Sequence, residues 1–565
     1  MLIKKINIKQ YKNLKDCEIE INNNQQVLSF IGTNGSGKSN LLEAISVLFK
    51  DAFIPRGRES KTEKYQISLS YNTHADKTKL IELSTKNTKI SCKKGTKTIH
   101  PSSFTTEQIL PKRIVAIYSG ESDRLNNKAY VEIYKKYVRE IKRSSLESPK
   151  MIYLDKSFLD ISLLSLLLEN DEEDVIEINQ LKINKKDVKI VFNINTNKLR
   201  DYKKSKAKKI VESISMQKEY SFDELKQKIE NLVETEEIDK NSMFVYLYST
   251  KDVLDKIKIF IKINDTYIEL DDLSEGEKKK ILVKSALECI GTEDTLFLLD
   301  EPDAYIHLSN KEELTKIINE NKHNSTIILT THSPTFTKSL SETFPDSIYK
   351  MEQNKKIETV SSKIKALRLL CPEQDIFKFL FSNKDILLVE GKTDVKYITN
   401  AIIAFNEELN KYTELSDLSI ISMGGTDYES YELFMKNFDD KQRFIILVDR
   451  DTGGRDIINH FINKECIDKP EICPIYSNVC LVMLPGEKGI MIEDFVSREK
   501  IRKCFCDNIK SFDKGNLTIK KYFKLNTTID GFKKALCGKC NDIEDFKGFK
   551  IILDLILEAR KKLVS

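Results

Sequence analysis

The sequence predicts an α/β protein made of two parallel-sheet units, and three observations predict it. A glycine loop, Gly32-Thr33-Asn34-Gly35-Ser36-Gly37-Lys38-Ser39, follows a short apolar run and precedes a stretch of helical composition. Further apolar runs end in acids or other polar residues at Asp300, Thr330, Glu390 and Asp449. Helical stretches separate these runs. Polar groups at the C-terminal ends of buried strands mark a parallel sheet with its sites along one edge.

The bulk numbers fit that class. A chain of 565 residues is too long for one ordinary core. With 92 basic and 87 acidic side chains the net charge is only +5, so any nucleic-acid contact must be local. The densest basic stretch, Lys198 to Lys209, reads first as a solvated helix face and only second as a DNA grip. The opening Met1-Leu2-Ile3-Lys4-Lys5-Ile6 lacks the apolar core of a signal peptide. No apolar run approaches the roughly 18 residues needed to span a bilayer. A cytoplasmic protein without membrane contact is expected. The 11 cysteines suit reduced thiols. Cys504, Cys506, Cys537 and Cys540 offer the alternative of a four-thiolate zinc site.

Taken in order, Leu2–Ile8 and Cys17–Ile21 read as strands from their partial alternation. Gln26–Ile31 is a buried strand leading into the glycine loop, and Leu41–Phe49 a helix leaving it. The charged segment of about 132–240 is expected to be a helical insert or dimerisation arm within a first domain of residues 1–365. Thr295–Leu299 and Thr326–Thr330 are buried strands, ending at Asp300-Glu301-Pro302 and Thr331-His332-Ser333. A linker helix over 366–383 leads to a second domain, 384–565, whose strands Asp385–Val389 and Phe444–Val448 end at Glu390 and Asp449.

The chemistry follows from these positions. A G-x4-G-K-S loop turns backbone N–H groups onto phosphate oxygens at a helix N-terminus. Lys38 would neutralise the terminal phosphates and the Ser39 hydroxyl would ligate Mg²⁺. Asp300 is placed to hold that metal's water, and Glu301 to orient or deprotonate an attacking water. In the second unit Asp449 and Asp451, two apart in extended backbone, point the same way. With Glu390 they form a carboxylate set for a hard cation, as phosphodiester cleavage requires.

Leu273-Ser274-Glu275-Gly276-Glu277-Lys278-Lys279 resembles the signature motif of ABC-type ATPases. Asp303 resembles the aspartate that follows their catalytic glutamate, His332 resembles their switch histidine, and Gln66 is offered for the Q-loop. Glu390-Gly391 followed by Asp449-Arg450-Asp451 resembles the Toprim domain of topoisomerases, primases and nucleases. An ABC-type ATPase joined to Toprim resembles the OLD (overcoming lysogenization defect) family, with the Gabija endonuclease subunit and the OLD-type effectors of some retrons. The resemblance implies an ATP-regulated, Mg²⁺- or Mn²⁺-dependent DNA endonuclease or nickase of bacterial phage defence. It implies a homodimer or larger assembly through the ATPase domain, and a defence-system partner protein or retron RNA/DNA as further partner. The implied ATP site comprises Gly32, Asn34, Gly35, Gly37, Lys38, Ser39, Asn40, Asp300, Ser274, Gly276 and His332, with one Mg²⁺ at Ser39 and Asp300. The implied Toprim site holds two metal ions through Glu390, Asp394, Asp449, Asp451 and Glu493, with a glycine turn at Gly424-Gly425-Thr426 and Lys534 or Lys547 as transition-state lysine. Two rivals stay open: a PARIS-type effector that cuts tRNA or other RNA, and a non-cleaving, SMC-like ATP-driven DNA clamp.

Overall fold

The computed structural model describes residues 1–21, 24–56, 64–73, 76–118, 123–143, 148–169, 175–178, 181–203, 205–214, 219–235, 238–263, 265–307, 310–322, 325–352, 357–362, 364, 385–423, 443–450, 471–487, 489–505 and 536–563. Two compact units result, Met1–Ser361 and Ser362–Ser565. The linker expected over 366–383 lies outside the described residues.

The first unit is built on a seven-stranded sheet. Its lateral order is Glu358–Thr359, Ile348–Met351, Val27–Gly32, Ser325–Thr331, Thr295–Asp300, Arg113–Ile117, Met151–Leu154. Every pairing is parallel except that of the short Glu358–Thr359 edge strand. Three strands matter most here: the strand before the glycine loop (Val27–Gly32), the strand ending at Asp300 (Thr295–Asp300) and the strand before His332 (Ser325–Thr331). All three are buried along their whole length, as unbroken apolar runs demand of strands covered on both faces.

A second sheet of six antiparallel strands runs Leu14–Glu20, Leu2–Tyr11, Gln66–Asn72, Ile81–Lys86, Lys89–Lys94, Lys97–Ile99. The helix Lys38–Phe53 lies between the two sheets, and one apolar cluster joins its Leu41, Leu42, Ile45, Leu48 and Phe49 to residues of both. That enclosure fixes the phosphate loop from behind.

The segment expected as a helical insert is mixed instead. Besides helices it supplies Met151–Leu154 to the central sheet, and Val188–Ile194 to a separate sheet ordered Glu219–Ser221, Val188–Ile194, Leu254–Ile263, Thr266–Glu269. Strand Val188–Ile194 buries alternate residues, the two-residue period of a half-buried strand, within a surrounding stretch rich in charge.

The second unit carries a five-stranded sheet ordered Ser419–Ser422, Ile386–Val389, Phe444–Val448, Val479–Met483, Ile472–Tyr476. All pairings are parallel except the last. Helices Lys392–Leu409 and Phe549–Lys562 contribute Tyr397, Ile398, Phe549 and Ile552 to its core.

Candidate nucleotide and acidic sites

Gly35 and Gly37 have φ of 81° and 101°, a region open to glycine and costly for other residues. Gly32 is needed for space, since a Cβ there would lie 2.5 Å from the Met351 carbonyl oxygen. Asn34 stands exposed in the loop. The nearly buried Lys38 ammonium donates to the carbonyl oxygens of Gly32 (2.9 Å) and Thr33 (3.1 Å). It lies 3.8 Å from a carboxylate oxygen of Glu301. Burial pushes its pKa down, and Glu301, Asp300 and Asp303 oppose that shift.

Parallel register sets Asp300 opposite Thr330. The Thr330 hydroxyl donates to Asp300 at 2.7 Å, and the Ser39 hydroxyl sits 3.0 Å from both Asp300 carboxylate oxygens. Burial raises the Asp300 pKa while these two hydroxyls pull it down. The Glu301 backbone N–H donates to Thr330 Oγ1 at 3.0 Å, and its carboxylate lies 3.0 Å from His332 Nδ1. Lys38, Ser39, Asp300, Glu301 and His332 thus share one edge of the sheet. A hydroxyl beside a carboxylate is a donor set that fits Mg²⁺ bound to a nucleotide.

Asn40, expected in the nucleotide set, is committed within the protein. Its amide donates to Asn13 Oδ1 (2.6 Å), its Oδ1 accepts from Arg124 (3.0 Å), and Asn13 in turn reaches the Gly35 carbonyl (3.4 Å). Glu43, a turn further along the helix, is 1 % exposed and takes Tyr11 at 2.6 Å, Lys12 at 2.5 Å and Arg124 at 2.9 Å. This bracing of the loop helix was not anticipated.

Ser274 and Glu277 cap the helix Glu275–Ser285 reciprocally, the S-x-x-E pattern of a capping box. A Cβ on Gly276 would meet the Tyr305 carbonyl oxygen at 2.7 Å. Lys279, overlooked in a run of three lysines, is 8 % exposed. Burial lowers its pKa to about 8, against the pull of Asp300, Asp303 and Glu301. It lines a cleft of about 360 Å³ with Tyr118, Tyr153 and Tyr305. Gln66 is misplaced as a Q-loop residue: it is exposed in the antiparallel sheet, paired with Gln10 and Lys86. Register with the Gln10 strand, rather than a position at a central strand end, decides its surroundings.

In the second unit, Ile386–Val389 and Phe444–Val448 are parallel neighbours, so Glu390 and Asp449 leave adjoining strand ends. The Asp449 backbone N–H donates to Glu390 Oε1 at 2.9 Å. Asp394 is 5 % exposed and its carboxylate accepts the Gly391 N–H at 2.8 Å. Glu493 is fully enclosed in the turn Ile492–Phe495. The Cys537 thiol donates to the Thr393 carbonyl at 3.8 Å. Burial raises its pKa first, and Glu493 and Asp394 both add to the rise. Both acids thus lie within electrostatic reach of that thiol. Asp451, Lys534, Gly424-Gly425-Thr426 and Cys506 lie outside the described residues. Lys547 is exposed and paired with Glu544. Cys537 and Cys540 are buried thiols, and among the described residues no group of three or more His, Cys, Asp or Glu side chains is placed to hold a metal. Among those residues, too, no helix is long and apolar enough to cross a membrane.

No curated protein matches the chain. Among solved structures, the SMC head domain from Thermotoga maritima matches at 16% identity and TM-score 0.31, covering 64% of this chain and 99% of that one. The Smc head domain with an extended coiled coil bound to the C-terminal domain of ScpA, derived from Pyrococcus furiosus, matches at 16% identity and TM-score 0.32, covering 65% and 98%. A SmcHead bound to the C-winged helix domain of ScpA matches at 14% identity and TM-score 0.33, covering 64% and 98%. The profile of the AAA ATPase domain family matches residues 1–337, more than half of the 565-residue sequence. The chain belongs to the AAA ATPase domain family.

Proposed function

We propose that this protein is an ATP-controlled, Mg²⁺-dependent DNA endonuclease or nickase of the OLD type, acting in bacterial phage defence. Its first unit is the ATPase domain, and the reading refines it to the ABC type. Bound Mg²⁺ would supply charge neutralisation at the phosphates, between Ser39 and Asp300. Glu301, aligned by His332, would accept the proton of the attacking water. The capped helix that presents Ser274 and Gly276 suits completion of a partner protomer's nucleotide site, so ATP would favour a homodimer or larger assembly.

The observation that carries the nuclease half is the meeting of Glu390 with Asp449 at adjoining parallel strand ends. Acids at that place in an open parallel sheet are where a ligand site forms. Two metal ions there would stabilise the attacking and leaving oxygens of a phosphodiester. Asp394 and Glu493, both buried in the same unit, are the candidates for completing the set with Asp451.

The test is incubation of the purified full-length protein with supercoiled plasmid, linear DNA and total tRNA, with Mg²⁺ or Mn²⁺, with and without ATP. Nicked or cut DNA that disappears in Glu390→Ala supports the reading and gives the sign of ATP control. Cut tRNA with intact DNA moves the substrate to RNA. Equal behaviour of wild type and Glu390→Ala on every substrate removes the nuclease and leaves an ATP-driven clamp.

A further inference from the structure

The loops that carry Glu301 and His332 leave the sheet side by side, beyond the last ladder pair, Asp300 with Thr330. Side chains then bind one loop to the other. Asp303 is 5 % exposed, and its two carboxylate oxygens take the Thr331 hydroxyl at 2.8 Å and the Lys311 ammonium at 2.9 Å. The same ammonium donates to Ser333 Oγ at 2.7 Å. Ser333 in turn caps the helix Pro334–Thr343 through the Phe336 N–H, and its own N–H reaches Thr331 Oγ1 at 3.0 Å. Both neighbours of His332 are therefore anchored to one buried ion pair, while the His332 side chain itself is about half exposed and meets Glu301.

We propose that Lys311 is a positioning residue for ATP hydrolysis: through Asp303 and Ser333 it sets the His332 loop against Glu301. The proposal rests on the ATPase reading of the first unit. An ammonium and a carboxylate this deeply buried are retained only when matched, and removing one leaves the other uncompensated. The Lys311 ammonium bonds to Asp303 and Ser333 rather than to the phosphate loop or Ser39, so its loss should act on the chemical step rather than on nucleotide affinity. It opens the helix Lys311–Glu320, whose packing against Pro334–Thr343 includes a Ser339–Thr315 hydroxyl contact at 2.8 Å.

The experiment measures ATP affinity and single-turnover hydrolysis of full-length wild type, Lys311→Met, Lys311→Arg, and Lys311→Met combined with Asp303→Asn. A misplaced catalytic group costs on the order of 10²-fold, so Lys311→Met should lose roughly that in hydrolysis with affinity nearly unchanged. Lys311→Arg should recover much of it, and the double variant should be no worse than Lys311→Met. Normal hydrolysis by a folded Lys311→Met overturns the proposal, as does a parallel fall in affinity and hydrolysis. A second readout needs no turnover: a ring-proton resonance assigned to His332 by its loss in His332→Asn should shift in Lys311→Met and return in Lys311→Arg. An unmoved resonance also overturns it. Wild type that binds but never hydrolyses ATP would sink the ATPase reading instead, leaving the resonance to judge Lys311.

Discussion

Glu301 has φ of 44°, a conformation that costs a non-glycine residue free energy and persists where its surroundings over-determine it. Here the surroundings are the Thr330 hydroxyl on its N–H and His332 on its carboxylate. Such a residue should be dispensable for binding and required for chemistry. Glu301→Gln is expected to retain ATP binding while hydrolysis falls by about 10²–10⁴-fold, checked by nucleotide affinity against phosphate release. At this scale the sequence was informative wherever a residue's role is local. Gly35, Gly37, Lys38 and Ser39 form one loop, and Asp300 is found by the apolar run before it. Glu43, Lys279 and Lys311 were illegible. A charged residue in a chain with 92 basic and 87 acidic side chains looks solvated until long-range packing buries it.

Among the elements, the strand Val27–Gly32 and the helix Lys38–Phe53 were readable because an apolar run and a helical stretch flank the glycine loop. The mixed segment after residue 132 was not. Val188–Ile194 is short and apolar on alternate positions, but it is embedded in a Lys-rich stretch whose overall charge obscures that two-residue period. Tight packing gives the element-scale prediction. Gly276→Ala places a methyl group 2.7 Å from the Tyr305 carbonyl oxygen, a backbone atom that has no rotamer to escape into. Overpacking of this kind costs about 1–3 kcal/mol, measurable as a lower denaturation midpoint. Gly35→Ala meets no neighbour within 4 Å and should cost only its left-handed backbone.

For the whole molecule, the order of strands along the central sheet brings the ends of Val27–Gly32, Ser325–Thr331 and Thr295–Asp300 side by side. Glu390 and Asp449 were legible from the strands they end, whereas the burial of Asp394 and Glu493 needs the folded chain. Stability should carry a signature of one buried acid. Burial raises Glu169 from an ordinary 4.5 to about 7, against the Phe244 N–H and Cys289, which pull it down. Between those values the unfolded chain has released the proton and the folded one retains it. Stability therefore falls as pH rises from about 4.5 to about 7. The full effect is about 3 kcal/mol. Glu169→Gln should match wild type in thermal midpoint near pH 4 and exceed it increasingly up to about pH 8. A constant difference across that range would count against it.

Tyr305 stands 70% exposed beside Gly276, and the chain contains 21 tyrosines but no tryptophan. Its emission under ultraviolet excitation is therefore phenolic throughout. Tyr305→Trp would introduce the sole indole of the protein beside the start of the helix Glu275–Ser285, with no background to remove first. A shift of its spectrum on adding ATP or a second protomer would report the arrival of a neighbour directly, in a chain whose native fluorescence is otherwise dark at that wavelength.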